Sequence, residues 1–242
     1  MPKFLKWIGD AMETVLASKY LQVTVDSVTY LSPQIKKIRF KGDYSQLSFS
    51  IGYAVSFRVT ETEFRNYTPI LFDQEKGICE IIFHLHGNGP GSVFVSSLIQ
   101  GEQLKMIIPR GREIYQQDKQ FHVFFGDETS MGLFNLLASE IIARRQHYIG
   151  MIEMDEENLG TPAKLGLDIA PVLKSPQQPG KNITASLGLL KKTLPEFFFG
   201  GVFYLVGNAV SIQVLKSALR ELGVSVSNIK TQAYWAEGKT GL

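Results

Sequence analysis

Cysteine is nearly absent. Cys79 is the single cysteine in 242 residues, which excludes a disulfide within the chain and a metal cluster built on thiolates. It lies in the apolar run Ile78-Cys79-Glu80-Ile81-Ile82-Phe83 and is expected to be a buried core thiol. An excess of charge of one sign is also lacking. The 25 Lys and Arg against 23 Asp and Glu leave a net charge of +2, so no field for nucleic acid is indicated. A local basic patch for a small anion stays open. No run approaches the ~18 consecutive apolar residues of a membrane span. At the N-terminus, Gly9, Asp10 and Glu13 interrupt any signal-peptide core. A reducing cytoplasmic compartment without stable membrane insertion is expected. No internal repeat occurs.

The remaining composition, 44% hydrophobic and 20% charged, is that of an ordinary globular chain, and the length suits two modest domains. Phe4, Ile8, Met12, Val15 and Leu16 recur at helical spacing. Residues 1–19 therefore read as a helical extension, either packed on the first domain or lying weakly on a membrane surface.

From Tyr20 the period changes to two. Leu21, Val23 and Val25 alternate with polar residues. Ile35–Phe40, Tyr53–Val59, Phe64–Pro69, Ile78–His86 and Gln103–Ile108 come next, separated by turns such as Lys41-Gly42-Asp43 and Ile51-Gly52. Six short strands predict an antiparallel β-barrel over residues 20–115. After it, strands alternate with helices. Phe121–Phe125 is a continuous apolar run, as buried parallel strands show. Tyr148–Met154, Val202–Val206 and Asn228–Tyr234 are further strands, and Ile183–Leu194 and Ala209–Leu222 are helices. Residues 116–242 thus read as a small open α/β nucleotide-binding domain.

Three segments carry chemistry. In Phe64-Arg65-Asn66-Tyr67-Thr68-Pro69, side chains two apart share a strand face, so Arg65 and Tyr67 point the same way with Thr68 next. A cation, a flat ring and a hydroxyl can hold a phosphate-bearing aromatic cofactor; an ordinary strand with a surface Arg is the alternative. His86-Gly87-Asn88-Gly89-Pro90-Gly91-Ser92 precedes the apolar run Val93–Ile99. It reads as a glycine loop entering a helix with Ser92 as N-cap, an anion site of free N–H groups, or else a plain connection. Gly126-Asp127-Glu128-Thr129-Ser130 ends an α/β strand, where ligands sit. Its carboxylates suit ribose hydroxyls or a purine edge, or simply cap the helix.

Taken in order, Arg65-Asn66-Tyr67-Thr68, His86-Gly87, Gly89-Pro90-Gly91-Ser92, Gly101-Glu102, Pro109-Arg110-Gly111, Gly126-Asp127-Glu128-Thr129 and Tyr234-Trp235 with Gly238 resemble the siderophore-interacting proteins of the ferredoxin reductase superfamily. The resemblance implies an FAD-binding barrel followed by an NAD(P)-binding domain. It implies a cofactor site of Arg65, Asn66, Tyr67, Thr68, His86, Gly89, Pro90, Gly91, Ser92, Asp127, Thr129 and Trp235. Tyr67 would stack on the isoalloxazine and Thr68 bond near its reactive nitrogen. Gly89, Gly91 and Ser92 would line the pyrophosphate, and Tyr234 and Trp235 would close over the cofactor region. Electrons would pass from NADH or NADPH through FAD to a ferric siderophore, with no acid–base residue and no resident metal. Lys36, Lys37, Arg39, Arg58, Arg110 and Lys239 are the cations available to attract an anionic chelate.

The chain departs from that family at Val206-Gly207-Asn208, where Gly-Glu is typical, at the Lys174–Lys181 loop, and at Phe94 in place of tryptophan. The first two fall in the nucleotide half, so a flavoprotein reduced by a ferredoxin-like protein stays open, as does a non-enzymatic flavin or chelate binder.

Overall fold

The computed structural model describes residues 20–238; the helix expected within 1–19 and the cation Lys239 lie outside them. The chain divides between Glu113 and Ile114 into two compact units.

In the first unit, seven antiparallel strands form one sheet: β1 (Tyr20–Ser32), β2 (Ile35–Gly42), β3 (Tyr53–Arg58), β4 (Phe64–Tyr67), β5 (Pro69–Asp73), β6 (Ile78–His84) and β7 (Gln103–Gly111). Their order is β4-β3-β7-β1-β2-β6-β5. Six strands were expected. The seventh arises because Pro69 has no N–H for a ladder and restricts the residue before it, so Thr68 separates β4 from β5. These two strands are the opposite edges of the sheet yet adjoin in sequence. The sheet therefore curls until its edges meet at Thr68, while no ladder joins β4 to β5 among the described residues. It is a barrel left open along one seam.

Period-two alternation sends Val23, Val25, Ile38, Phe40, Val55, Phe57, Cys79, Ile81 and Phe83 into the interior, each large side chain contributing ~1.5–3 kcal/mol by its burial. A short helix, α1 (Pro90–Ser97), joins this core through Val95.

The second unit holds five parallel strands: β8 (Phe121–Asp127), β9 (His147–Met154), β10 (Ala170–Leu173), β11 (Val202–Asn208) and β12 (Ile229–Trp235), ordered β10-β9-β8-β11-β12. Its helices are α2 (Met131–Ala143), α3 (Thr161–Lys164), α4 (Lys181–Thr193), α5 (Pro195–Gly200) and α6 (Ala209–Glu221). The order runs outward in both directions from β8, so the topological switch point lies between β8 and β11. In open α/β sheets that is where ligands are received.

Candidate functional site

In the first unit, β4 pairs with β3 and sets Tyr67 opposite Val55, with Arg65 opposite Phe57. Tyr67 is half-buried, its ring edge-on to Phe83 at 4.7 Å and tilted against Phe57 at 6.2 Å. Burial pushes its hydroxyl up to about 12, with Arg65 pulling the other way. Asn66 goes to the opposite face, where its Oδ1 accepts from Ser56 Oγ; it does not join Arg65 and Tyr67. The Arg65 guanidinium donates to Glu63 Oε1 and to the Phe64 carbonyl, both at 2.9 Å, so a carboxylate already shares its charge. Thr68 is buried at the seam.

The glycine loop meets this strand. A Cβ on Gly91 would lie 2.8 Å from the Tyr67 hydroxyl and 3.5 Å from Arg65 Cγ, whereas Cβ atoms on Gly87 and Gly89 would meet nothing within 4 Å. The site therefore combines a floor that needs Gly91 bare with an approach open over Gly89. Helix α1 starts earlier than expected. Gly89 is its N-cap and Pro90 fills the first position, where a missing N–H is harmless and φ is preset. Ser92 is not the cap. Its Oγ accepts from the His86 N–H at 3.2 Å and donates to the His86 carbonyl at 3.1 Å, which ties the loop into a ring. Gly89 has no side chain to cap the helix, and no acidic residue stands in its first turn. The Gly91 and Ser92 N–H groups are among those that a helix start leaves without intrahelical partners. This bare, electropositive end suits a pyrophosphate, so the chain's own residues fit FAD here.

In the second unit, Asp127, Thr129 and Trp235 meet one another. Asp127 is 5% exposed. Its Oδ1 accepts from Thr129 N at 2.9 Å and Thr129 Oγ1 at 2.5 Å. Its Oδ2 accepts from Asn208 N at 2.8 Å and Trp235 Nε1 at 2.9 Å. Four donors occupy the carboxylate, so it offers no lone pair to a ribose, and the indole N–H is spent on it too. Burial raises the Asp127 carboxyl above its ordinary range, against the lowering effect of the Thr129 and Trp235 bonds. Gly207 makes this possible: its φ is +113°, and a Cβ there would overlap the carboxylate. Asn208 Oδ1 caps α6, accepting from Val210 N at 2.7 Å. The switch point is thus bridged from β8 to β11 and β12 by the chain itself.

Two further carboxylates lie at these strand ends: Glu128, expected like Asp127 to meet ribose hydroxyls or a purine edge or to cap the helix, and Glu153, which carries no local motif. Glu128, 1% exposed, accepts from Asp155 N at 2.7 Å and pairs with Lys174 Nζ at 2.6 Å. Lys174 therefore serves a buried acid rather than an open loop. Glu153 Oε2 accepts from Gly180 N at 2.8 Å at the start of α4, and burial raises its carboxyl despite that bond.

Of the proposed chelate-attracting cations, Lys37 and Arg39 share Glu80, and Arg58 donates to the Thr60 and Glu61 carbonyls. Arg110 is exposed. Lys36 is 2% exposed and turns inward, so it cannot attract a solute. Its phase was readable, since Lys36, Ile38 and Phe40 share one face of β2.

The first unit combines an open antiparallel barrel with a helix start that no side chain caps, and residues 22–115 match the family model described as Oxidoreductase FAD-binding domain. Over that stretch the barrel is similar to FAD-binding oxidoreductase domains. Among curated proteins, none matches. Among solved structures, the siderophore-interacting protein from Acinetobacter baumannii superposes with TM-score 0.75 at 19% identity, covering 91% of this chain and 92% of that one. The siderophore-interacting protein SipS from Aeromonas hydrophila gives 0.72 at 20%, covering 92% and 93%. Ferredoxin-NADP+ reductase from Plasmodium falciparum gives 0.73 at 10%, covering 89% and 96%. At these identities the likeness is one of fold: the chain has the two-unit architecture that siderophore-interacting proteins and ferredoxin reductases share.

Proposed function

We propose that the protein is an FAD-dependent reductase that passes electrons from NADH or NADPH to a ferric siderophore. The observation that carries this is the convergence of Tyr67 and Arg65 on the bare Gly91 at the start of α1, within an FAD-binding domain. Bound there, FAD supplies the coupling of a two-electron donor to a one-electron acceptor. The chain's residues bind and orient. Tyr67 and Thr68 face the ring system, Arg65 offsets negative charge, and the Gly91 and Ser92 N–H groups take the pyrophosphate.

One hydride carries two electrons, which reduce two ferric chelates, and the weaker hold of hard oxygen ligands on Fe(II) releases the iron. The likeness to proteins described as siderophore-interacting supports this acceptor class, and the likeness to ferredoxin-NADP+ reductase supports a nicotinamide donor. Purified protein should be yellow, and NADH or NADPH should bleach it anaerobically. A ferric siderophore should then restore the colour.

The bridged switch point supports a second reading, in which a ferredoxin-like protein is the donor. Asp127, Asn208 and Trp235 occupy the place where a nucleotide would enter. Bleaching by reduced ferredoxin but by neither nucleotide selects this alternative. Protein that is colourless and gains no thermal stability from FAD would select a non-enzymatic chelate or nucleotide binder.

A further inference from the structure

Lys36 occupies an unusual position for a cation. It lies on the inward phase of β2 with the fully buried Ile38 and Phe40, and its Nζ donates to three backbone carbonyls: Val95 at 2.7 Å, Ser96 at 3.1 Å and Leu98 at 2.8 Å. An ammonium has three protons, and these three acceptors use them all. The Val95 and Ser96 carbonyls belong to the last turn of α1 and the Leu98 carbonyl to its C-cap, where a helix runs short of intrahelical donors; the Val95 oxygen also accepts from the Leu98 N–H at 3.3 Å. No carboxylate stands within ion-pairing distance of Nζ among the described residues. The Tyr30 ring lies 5.6 Å away, and Glu102 acts only through its more distant charge. A buried charge without a close counter-ion is costly, so its retention calls for a compensating use.

We infer that Lys36 is a positioning residue for FAD: it clamps the carbonyl end of α1 to β2 and so holds the N–H end of the same helix in register with Tyr67 and Arg65, where the pyrophosphate binds. This rests on the placement of FAD given above. Helix α1 has eight residues, little more than two turns, too short to hold its own position. Its ends are also electrically linked: a cation at the carbonyl end complements the dipole whose positive pole receives the diphosphate. Glu102 Oε2 accepts from Ile99 N at 3.2 Å just beyond the helix, so its exit is held from both sides.

The test compares FAD with riboflavin, which lacks the diphosphate and the adenosine beyond it. Full-length protein is stripped of flavin, and dissociation constants for FAD and riboflavin are measured by flavin fluorescence for wild type, Lys36→Met, Lys36→Gln and Lys36→Arg. The ratio of the FAD constant to the riboflavin constant should rise about tenfold in K36M and K36Q, through loss of FAD affinity, and stay within about threefold of wild type in K36R. Loss of both flavins in equal measure, or an unchanged ratio, overturns the inference, because damage to the barrel in general would not distinguish them. If K36M does not fold, K36Q carries the same comparison, since it keeps two donors without the charge. Wild-type protein that binds neither flavin would instead remove the FAD placement itself.

Discussion

Replacing Asp127 with alanine separates two roles that its position at a β-strand end would allow. In the structure its two oxygens accept four hydrogen bonds, of 2.5–2.9 Å, from Thr129, Asn208 and Trp235. Three come from N–H groups that would be left without an acceptor in or near the interior. Bonds to a charged group are worth ~1.5–3 kcal/mol each, and the burial that raises the Asp127 carboxyl offsets part of the sum. A net loss of ~4 kcal/mol is expected for Asp127→Ala, and about half that for Asp127→Asn, whose carbonyl still serves one side. That is a large part of the ~5–15 kcal/mol that holds a typical domain together.

Trp235 is the reporter. With Trp7 replaced by Phe, its fluorescence follows urea unfolding of the second unit alone. FAD content of the folded variant should match wild type. If Asp127 instead held a ribose, the alanine variant would unfold within ~1 kcal/mol of wild type and lose nucleotide affinity. That pair of results would refute the structural role.

Three further outcomes are expected. Gly91→Ala gains helix propensity of up to ~1 kcal/mol yet should weaken FAD binding by about tenfold or more, since its methyl must displace the Tyr67 hydroxyl; an Arg65→Ala, Tyr67→Ala double variant that keeps full FAD occupancy would contradict the assignment. Lys174→Met leaves Glu128 buried without its cation and should cost ~3 kcal/mol, recovered when Glu128→Leu is added; urea midpoints of the single and double variants check this. Glu153 has a folded carboxyl raised above its ordinary 4.5 by burial, so folding favours its protonated form, and that contribution is complete below 4.5 and lost as pH rises through the folded value. Glu153→Gln should therefore be more stable than wild type at pH 7, with the gap closing as the pH falls toward 4.5 in a series of thermal melts.

Regular alternation and long apolar periods made most elements readable from the residues alone. The helix expected at Ala209–Leu222 is found at Ala209–Glu221, and the strand expected at Tyr148–Met154 at His147–Met154. The elements that escaped are short or lack a pattern. Strand β5 follows β4 after one residue with no turn signal, and β10 is a four-residue edge with only Val172 half-buried.

In the site, the meeting of Tyr67 with Gly91 agrees with a motif order visible in the chain. The inward turn of Asp127 could not be seen. It depends on a positive φ at Gly207 and on an indole 108 positions further on, and no local spacing encodes that. The inward phase of Lys36 is legible from the face it shares with Ile38 and Phe40, whereas its charge alone points to the surface.

The seam at Thr68 bears on how the protein behaves before it is loaded. Exposed strand margins are templates on which a second chain can add, and proteins guard them. Here both margins of the curled sheet belong to one short stretch, Phe64–Asp73, made of a four-residue and a five-residue strand. A single guest laid along that stretch would shield both at once. Flavin supply during expression should accordingly govern the yield of monodisperse protein, and starved preparations should self-associate through this stretch.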